Sequence, residues 1–215
     1  MKKDRALTPT KQKILNCAAS LFAEKGYTET SIRELAATAG LQGSSIYNHF
    51  KNKIAILDFM LEDYEIFNSG LFSDKTVRAT LYNNPTTDGI LLCLQTRFPE
   101  GMEDYYFKVL SMVLQEQHRN PVVKSHIQEI ILVAERRFGM IMSILKDVNV
   151  IRRDADPDFW SKMVSSIFYT FANRAVLGIG DDSPGFSGMN MVALLRRVCD
   201  MMFMEHGAAN TGARG

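Results

Sequence analysis

The sequence predicts an all-α protein, because three kinds of pattern point to helices along most of the chain. Apolar residues recur every three or four positions in long segments, as they do on one face of a helix. Pro9, Pro99, Pro121 and Pro157 stand where such segments begin, and the first turn of a helix tolerates proline. Sustained alternation of apolar and polar residues, which would indicate strands, does not accompany these signals.

The composition is that of a globular protein and gives little support to other classes. Of the 215 residues, 46% are apolar and 23% are charged. The three cysteines are far apart and form no CxxC pair, so we expect buried thiols in a reducing compartment rather than disulfides or a zinc site. The charged start resembles no signal peptide, and no apolar run approaches the roughly 18 residues of a membrane span. We therefore expect a soluble, cytoplasmic protein.

Charge is distributed unevenly along the chain. Residues 1–53 hold nine Lys and Arg against four Asp and Glu, a net charge of +5, whereas the remainder carries 16 basic and 20 acidic residues, a net charge of −4. A basic head on an acidic body is expected if only the head meets a polyanion. Chance clustering of charge near a terminus is the alternative.

The first helix is predicted over the segment TPTKQKILNCAASLFAEKGY. Thr8 can cap its N-terminus, Pro9 suits its first position, and Gly26 suits the residue after its C-terminus. Its inner face consists of apolar residues spaced i, i+4, i+7 and i+8, namely Ile14, Ala18, Leu21 and Phe22.

The next two helices have the spacing of a helix-turn-helix. Ser31 and Glu34 match a capping box at the start of the second helix, with Thr30 as an alternative cap. Gly40 ends this helix, and a third is predicted from about Ser44. The positions that bring the two helices together are a small residue, the glycine of the turn and an apolar residue six positions later, and they are occupied by Ala36, Gly40 and Ile46.

The outer face of the third helix is suited to DNA. Ile46 and Phe50 are predicted to face inward, and residues 41–53 contain no Asp or Glu. Short hydroxyl and amide side chains at the start of a recognition helix can reach base edges, while longer polar and cationic side chains can reach phosphates. A polar face that meets only water is the alternative. The predicted DNA-contacting residues on this face are Gln42, Ser44, Ser45, Tyr47, Asn48, His49, Lys51 and Lys53.

The segment TSIRELAATAGLQGSSIYNHFKNKIAIL resembles the DNA-binding domain of the TetR family of bacterial transcriptional regulators, most closely in YNHFKNK. The resemblance covers about residues 10–60. The turn LQGSS lacks the lysine or arginine that the family often has near the glycine. The resemblance implies base reading by Gln42, Ser44, Ser45 and Asn48. It implies phosphate contacts from Thr30, Tyr47, His49 and Lys53.

The rest of the chain is predicted to be a helical body. A long helix at 53–69 carries Ile54, Leu57, Leu61 and Tyr64 on one stripe, and 83–89 is a loop by composition. Further helical patterns cover 90–98, 99–118, 121–148, 157–178 and 187–205, with Asp156 as a cap. We therefore expect a DNA-binding domain at 1–52, a helical ligand-binding and dimerisation domain at 53–206, and a disordered tail at 207–215.

The last two helices are apolar on more than one face, which predicts burial on more than one side. The resemblance implies that they form a four-helix bundle with their copies in a twofold dimer. A helical hairpin buried within one chain is the alternative. The predicted interface residues are Phe159, Met163, Ile167, Phe171, Met191, Leu195, Val198 and Met202.

The aromatic and methionine content predicts an adaptable apolar pocket for a small molecule, although ordinary core filling explains the same residues. The chain contains 12 methionines. The predicted pocket residues are Tyr64, Phe98, Tyr105, Phe107, Met112, Phe138 and Trp160.

Signals for catalysis, metals and cofactors are weak. His118, His126 and Glu129 lack a third ligand at a suitable spacing, and no nucleophile motif stands out. We expect no enzyme activity, no metal and no cofactor. We expect a homodimeric repressor that an apolar or aromatic effector releases from a quasi-palindromic DNA operator. The alternatives are a helical module that uses its helix-turn-helix for protein contacts, and an all-α enzyme with a DNA-reading appendage.

Overall fold

The computed structural model describes residues 7–70, 74–94, 101–178 and 188–203, except for the side chains of 67–70 and 188–191. This part of the chain is helical, and its only extended pairing is an isolated antiparallel bridge between Ile151 and Phe203. The all-α prediction is therefore confirmed. The helices are α1 Pro9–Lys25, α2 Ile32–Thr38, α3 Gly43–Tyr47, α4 Lys53–Gly70, α5 Asp74–Asn83, α6 Thr87–Leu94, α7 Glu103–Glu116, α8 Pro121–Asp147, α9 Pro157–Val176 and α10 Gly188–Asp200.

Local capping signals set the starts of three helices as predicted. The Thr8 hydroxyl accepts a hydrogen bond from the Lys11 N–H at 3.2 Å, ahead of Pro9. The Asp156 carboxylate accepts from the Asp158 N–H at 3.0 Å. Ser31 caps α2 by accepting from the Glu34 N–H at 3.1 Å, whereas the Glu34 carboxylate pairs with the Lys25 ammonium instead of returning to the cap. Only half of the predicted capping box is therefore formed.

The chain divides into two compact units. Unit 1 combines residues 1–70 with 97–130, and unit 2 combines 71–96 with 131–215. In unit 1, α1 packs on α2, α4 and α7. The predicted domain boundary at residue 52 stays a prediction, although α4 and α7 both pack on α1 and fall in the same compact unit as the helix-turn-helix.

The core of unit 1 uses most of the predicted inner faces. Ile14, Ala18, Leu21 and Phe22 of α1 are all buried. On α4, Leu57 and Leu61 are buried as predicted, but Ile54 is 54% exposed, and Ile56 and Met60 take its place in the core. The inward stripe of α4 thus lies on a slightly different face from the one that the sequence predicted.

Unit 2 has its own core and includes a helix that the sequence analysis missed. The missed helix is α5. A short turn at 84–86 follows it, and α6 then begins at Thr87, inside the loop that the sequence predicted. The two helices at the end of the unit are also shorter than predicted, because α9 ends at Val176 and α10 ends at Asp200. None of the helices in the described ranges combines the length and apolar character that a membrane crossing requires.

The second half of the predicted dimer interface is wrong at three positions. Leu195, Val198 and Met202 are all less than 10% exposed and belong to the core of unit 2, next to Phe138 and Trp160. Side chains that already fill the core of their own chain cannot form a surface between two chains. The side chain of Met191, the fourth predicted position on α10, lies outside the described residues.

The cysteines differ in environment. Cys93 and Cys199 are buried as predicted, whereas Cys17 on α1 is half-buried. Burial raises the pKa of Cys199 to about 12, so its thiol is protonated at neutral pH.

Candidate nucleic-acid interface

The helix-turn-helix has the geometry that its sequence predicts. Gly40 adopts a φ of +60° after α2, a conformation that favours glycine. The turn is closed by the Leu41 N–H, which donates to the Ala36 carbonyl at 2.8 Å. Ile46 is fully buried and Phe50 is 5% exposed, so both hold α3 against the rest of the unit as predicted.

The opposite side of this segment is a polar surface that contains no acidic residue. We call it the 42–51 surface, and it consists of Gln42, Ser44, Ser45, Tyr47, Asn48, His49 and Lys51. Tyr47 is 56% exposed. Gln42, Ser44, Asn48 and Lys51 are also exposed, while Ser45 and His49 are half-buried. The structure thus brings seven of the predicted DNA-contacting residues together at the surface, and their individual DNA contacts stay predictions.

Thr30 is not part of this surface. Its side chain is only 1% exposed, and its hydroxyl lies 2.9 Å from the Gly26 carbonyl, to which it donates. The Leu21 carbonyl is a second acceptor at 3.4 Å. The predicted phosphate contact from the Thr30 side chain is therefore wrong, because the hydroxyl is held inside the segment that joins α1 to α2.

Lys53 is half-buried, and its ammonium is bound by the backbone of unit 1. Its ammonium donates to the carbonyls of Tyr27 at 2.7 Å, Thr28 at 3.2 Å and Thr30 at 2.7 Å. It also lies 4.4 Å from the centre of the Tyr27 ring, a cation–π contact. Burial lowers the pKa of Lys53, and the negative charges of Glu116 and Glu29 partly offset that effect. Three backbone carbonyls thus bind the ammonium of Lys53, and its predicted phosphate contact stays a prediction.

A residue that the sequence analysis missed lies beside Lys53. Glu116, at the end of α7, is 5% exposed, and its carboxylate accepts a hydrogen bond from the Tyr27 N–H at 2.9 Å. The two residues are 89 positions apart. Gly26 was recognisable in the sequence as the end of a helix. Nothing in the local sequence of α7 indicates that Glu116 is the residue that approaches this helix end.

The predicted effector-pocket residues are divided between the two units. In unit 1, Tyr105 and Met112 are buried and Phe107 is half-buried. Tyr64 lies 6.3 Å from Tyr106 between ring centres. In unit 2, Phe138 and Trp160 belong to the core. Phe98 lies outside the described residues. The pocket stays a prediction.

The first half of the predicted dimer interface lines an open apolar groove on unit 2. We call it the α9 groove. Its volume is about 710 Å³, and Leu194 of α10 contributes to its wall. Phe159 is 53% exposed there. The α9 residues that the sequence predicted for a dimer interface all line it, namely Phe159, Met163, Ile167 and Phe171.

One histidine considered for a metal site, His126, lies beside a carboxylate. His126 Nδ1 lies 3.5 Å from a carboxylate oxygen of Glu65. Among the described residues, no group of three or more His, Cys, Asp or Glu side chains is arranged to hold a metal ion.

Comparison with known proteins identifies the N-terminal segment. Residues 14–59 match the family described as bacterial regulatory proteins, tetR family. The HTH-type transcriptional repressor KstR2 of Rhodococcus jostii is 37% identical over 75 residues, which are 31% of this chain and 37% of the repressor. The HTH-type negative transcriptional regulator IcaR of the biofilm operon icaADBC of Staphylococcus epidermidis is 30% identical over 121 residues, 56% of this chain and 62% of that regulator. Both matches cover less than two thirds of the relative's own length.

The fold is shared along nearly the whole chain. The structure of the SmeT–triclosan complex superposes with a TM-score of 0.67 at 17% sequence identity, and the match covers 97% of this chain and all of that one. The sequence match therefore assigns residues 14–59 to the family described as bacterial regulatory proteins, tetR family, and the likeness to SmeT shows that the all-α fold is shared.

Proposed function

We propose that the protein is a DNA-binding transcriptional regulator, acting as a repressor that a small molecule releases from its operator. The observation that carries this proposal is the 42–51 surface, which is exposed and polar and lies in a segment with no Asp or Glu. A protein surface with these properties, at the second helix of a helix-turn-helix, suits the major groove and its phosphate walls.

The charge distribution and the relatives support the same function. The net charge of +5 on residues 1–53 attracts a polyanion, while the net charge of −4 on the remainder does not. KstR2 is a transcriptional repressor and IcaR a negative transcriptional regulator, which favours repression over activation.

A homodimer would give the regulator two copies of the 42–51 surface. The α9 groove supports this, because it exposes apolar side chains that water solvates poorly, and a second copy of the same face could cover them. Two recognition helices would then read half-sites about 34–36 Å apart, or further, in a quasi-palindromic operator.

A structural neighbour supports release by a small molecule. SmeT, which shares the fold, forms a complex with triclosan, an apolar aromatic compound. We expect binding of such an effector to lower the affinity for the operator by about 5- to 150-fold, which corresponds to a coupling free energy of about 1–3 kcal/mol. The long helix α4, which follows the 42–51 surface directly, is our candidate for the element that carries this change.

DNA binding can be tested with the purified protein and a labelled random-sequence duplex in a fluorescence anisotropy titration. We expect binding at low salt, with the logarithm of the affinity falling linearly with the logarithm of salt concentration. Lys51→Glu should weaken binding strongly, because it reverses a charge at the 42–51 surface. Lys75→Glu is the matched control, since Lys75 is also exposed but lies on α5 in unit 2.

Two results would contradict the proposal. One is a wild-type protein with no affinity for duplex DNA at low salt. The other is an equal loss of affinity in both charge-reversal variants, which would mean that any positive charge on the protein attracts DNA and that the 42–51 surface has no special role.

A further inference from the structure

The segment between α1 and α2 is held by two charged side chains from distant parts of unit 1. We call this segment, Gly26–Thr30, the 26–30 turn. Glu116 reaches it from α7, and Lys53 reaches it from the first residue of α4. Neither side chain belongs to the 42–51 surface.

Glu116 approaches the backbone of the turn directly. Its carboxylate accepts from the Tyr27 N–H at 2.9 Å, and a Cβ atom added to Gly26 would lie only 3.1 Å from the same oxygen. Gly26 also has a φ of +88°, which side chains disfavour. Glycine at this position therefore allows both the backbone conformation and the close approach of the carboxylate.

Lys53 binds the acceptors of the same turn. Three carbonyls of the turn accept hydrogen bonds from its ammonium, and the Tyr27 ring lies against it. The turn thus has one N–H bound by an acid and three carbonyls bound by a base. Burial favours such an arrangement, because charge-assisted hydrogen bonds are stronger than neutral ones and a buried charge requires partners.

The turn leads directly into the DNA-binding helices. Ser31, the residue after the turn, caps α2, and α2 packs against both α1 and α3. A displacement of the turn would therefore move the start of α2 and, with it, the 42–51 surface. Small errors in the position of a recognition helix disrupt base contacts more than phosphate contacts, since base-edge hydrogen bonds have stricter geometry.

We propose that Glu116 and Lys53 are positioning residues for operator recognition, which hold the 26–30 turn and thereby orient α2 and α3 for base reading. This inference rests on the proposed DNA-binding function. It assigns Lys53 a role through the protein's own backbone rather than through phosphate, and it makes α7 a participant in DNA recognition.

The test compares variants of Glu116 on two duplexes: one selected by the wild-type protein from a random pool, and a random-sequence duplex of equal length. Glu116→Ala should weaken binding to the selected duplex by about tenfold, because it removes a charge-assisted hydrogen bond, and should change binding to the random duplex by less than about threefold. Glu116→Gln retains an acceptor for the Tyr27 N–H and should recover most of the loss. Gln115→Ala is the matched control, because Gln115 is the preceding residue of α7 but donates to the Ala23 carbonyl in α1.

Hydrogen exchange gives a readout of the turn itself. Glu116→Ala should accelerate exchange of the Tyr27 amide while amides in the middle of α1, such as that of Ala18, remain as slow as in the wild type. A general loss of stability would accelerate both. If Glu116→Ala does not fold, Glu116→Gln and Lys53→Met are used instead to compare binding to the selected and the random duplex.

Lys53→Met separates positioning from phosphate contact. It should reduce the preference for the selected duplex by about tenfold while leaving the salt dependence of random-duplex binding unchanged, whereas loss of a phosphate contact would lower the salt slope by about one. Wild-type-like preference in folded Glu116→Ala or in Lys53→Met would overturn the inference. A lower salt slope in Lys53→Met would also overturn it. A wild-type protein that binds neither duplex would instead overturn the proposed function.

Discussion

Tyr47 and Asn48 are neighbours on the 42–51 surface, but their side chains suit different parts of a DNA duplex. Both are exposed at the end of α3. A tyrosine hydroxyl on a long ring can reach a phosphate at the groove wall, and phosphates carry no sequence information. An asparagine amide can donate and accept at once, which matches the pattern on the edge of adenine.

This difference gives a prediction at the residue scale. Tyr47→Ala should weaken binding to the selected and the random duplex by similar factors. Asn48→Ala should cost about 1–3 kcal/mol on the selected duplex and much less on the random one. Anisotropy titrations on both duplexes measure each effect. Similar losses on both duplexes for both variants would refute the division of roles.

At the scale of elements, adjacent residues of α10 have opposite surroundings. Leu195 is 2% exposed in the core of unit 2, whereas Leu194 is 40% exposed and lines the α9 groove. When a buried leucine is truncated, the protein loses the favourable free energy of burying that side chain and is left with a cavity. An exposed leucine loses little when it is truncated, unless a partner covers it.

We therefore predict that Leu195→Ala lowers the free energy of unfolding by about 2–5 kcal/mol, as measured by urea denaturation. Leu194→Ala should change the free energy of unfolding of the monomeric protein by less than about 1 kcal/mol and should weaken self-association instead. The two leucines are chemically identical, so each variant is the control for the other. Equal unfolding effects would contradict the assignment of Leu195 to the core.

The elements also show which parts of the structure the sequence could predict. Thr8, Ser31 and Asp156 cap their helices through contacts two or three residues away, so a reader of the sequence sees both partners at once. The orientation of α10 was not predictable in the same way, because leucines on two faces of a helix do not indicate which face the rest of the chain will cover. The sequence predicted apolar contacts on both sides, and the structure assigns Leu195 to the inner one.

In the candidate site, too, residues with local determinants were predictable and residues with distant contacts were not. Exposed residues such as Ser44 and Asn48 were predictable, since they follow from the helical positions of Ile46 and Phe50. Lys53 was not, because a lysine at the end of a basic segment looks available for phosphate until a distant turn occupies its ammonium. Such occupation depends on contacts across 23 or more residues, which local spacing does not encode.

At the scale of the whole molecule, self-association should depend on the α9 groove. Ile167 lines the groove, and a glutamate there would place a charge in the surface that we expect a second copy to cover. Leu92, on α6, is 49% exposed and does not line the groove. Both variants place a glutamate at an apolar position, inside and outside the proposed contact. Because Ile167 also packs against the core of unit 2, urea denaturation must show that Ile167→Glu still folds.

We predict that the wild-type protein sediments as a dimer and that Ile167→Glu sediments as a monomer at micromolar concentration. Leu92→Glu should remain dimeric. The monomeric variant should also bind the selected duplex at least about tenfold more weakly than the wild type, because it can no longer engage two half-sites at once. Dimers of Ile167→Glu with unchanged stability would exclude the α9 groove as the contact.

The bridge between Ile151 and Phe203 decides where the chain can be shortened. The Arg152 N–H donates to the Met202 carbonyl at 2.9 Å, and Cys199 and Met202 are completely buried just before the bridge. Truncation after residue 198 would delete the buried side chains of Cys199 and Met202 together with this pairing, and would leave part of the core of unit 2 exposed. Truncation after residue 203 would spare all three features, so a purification tag or a fluorescent fusion should be attached beyond that position.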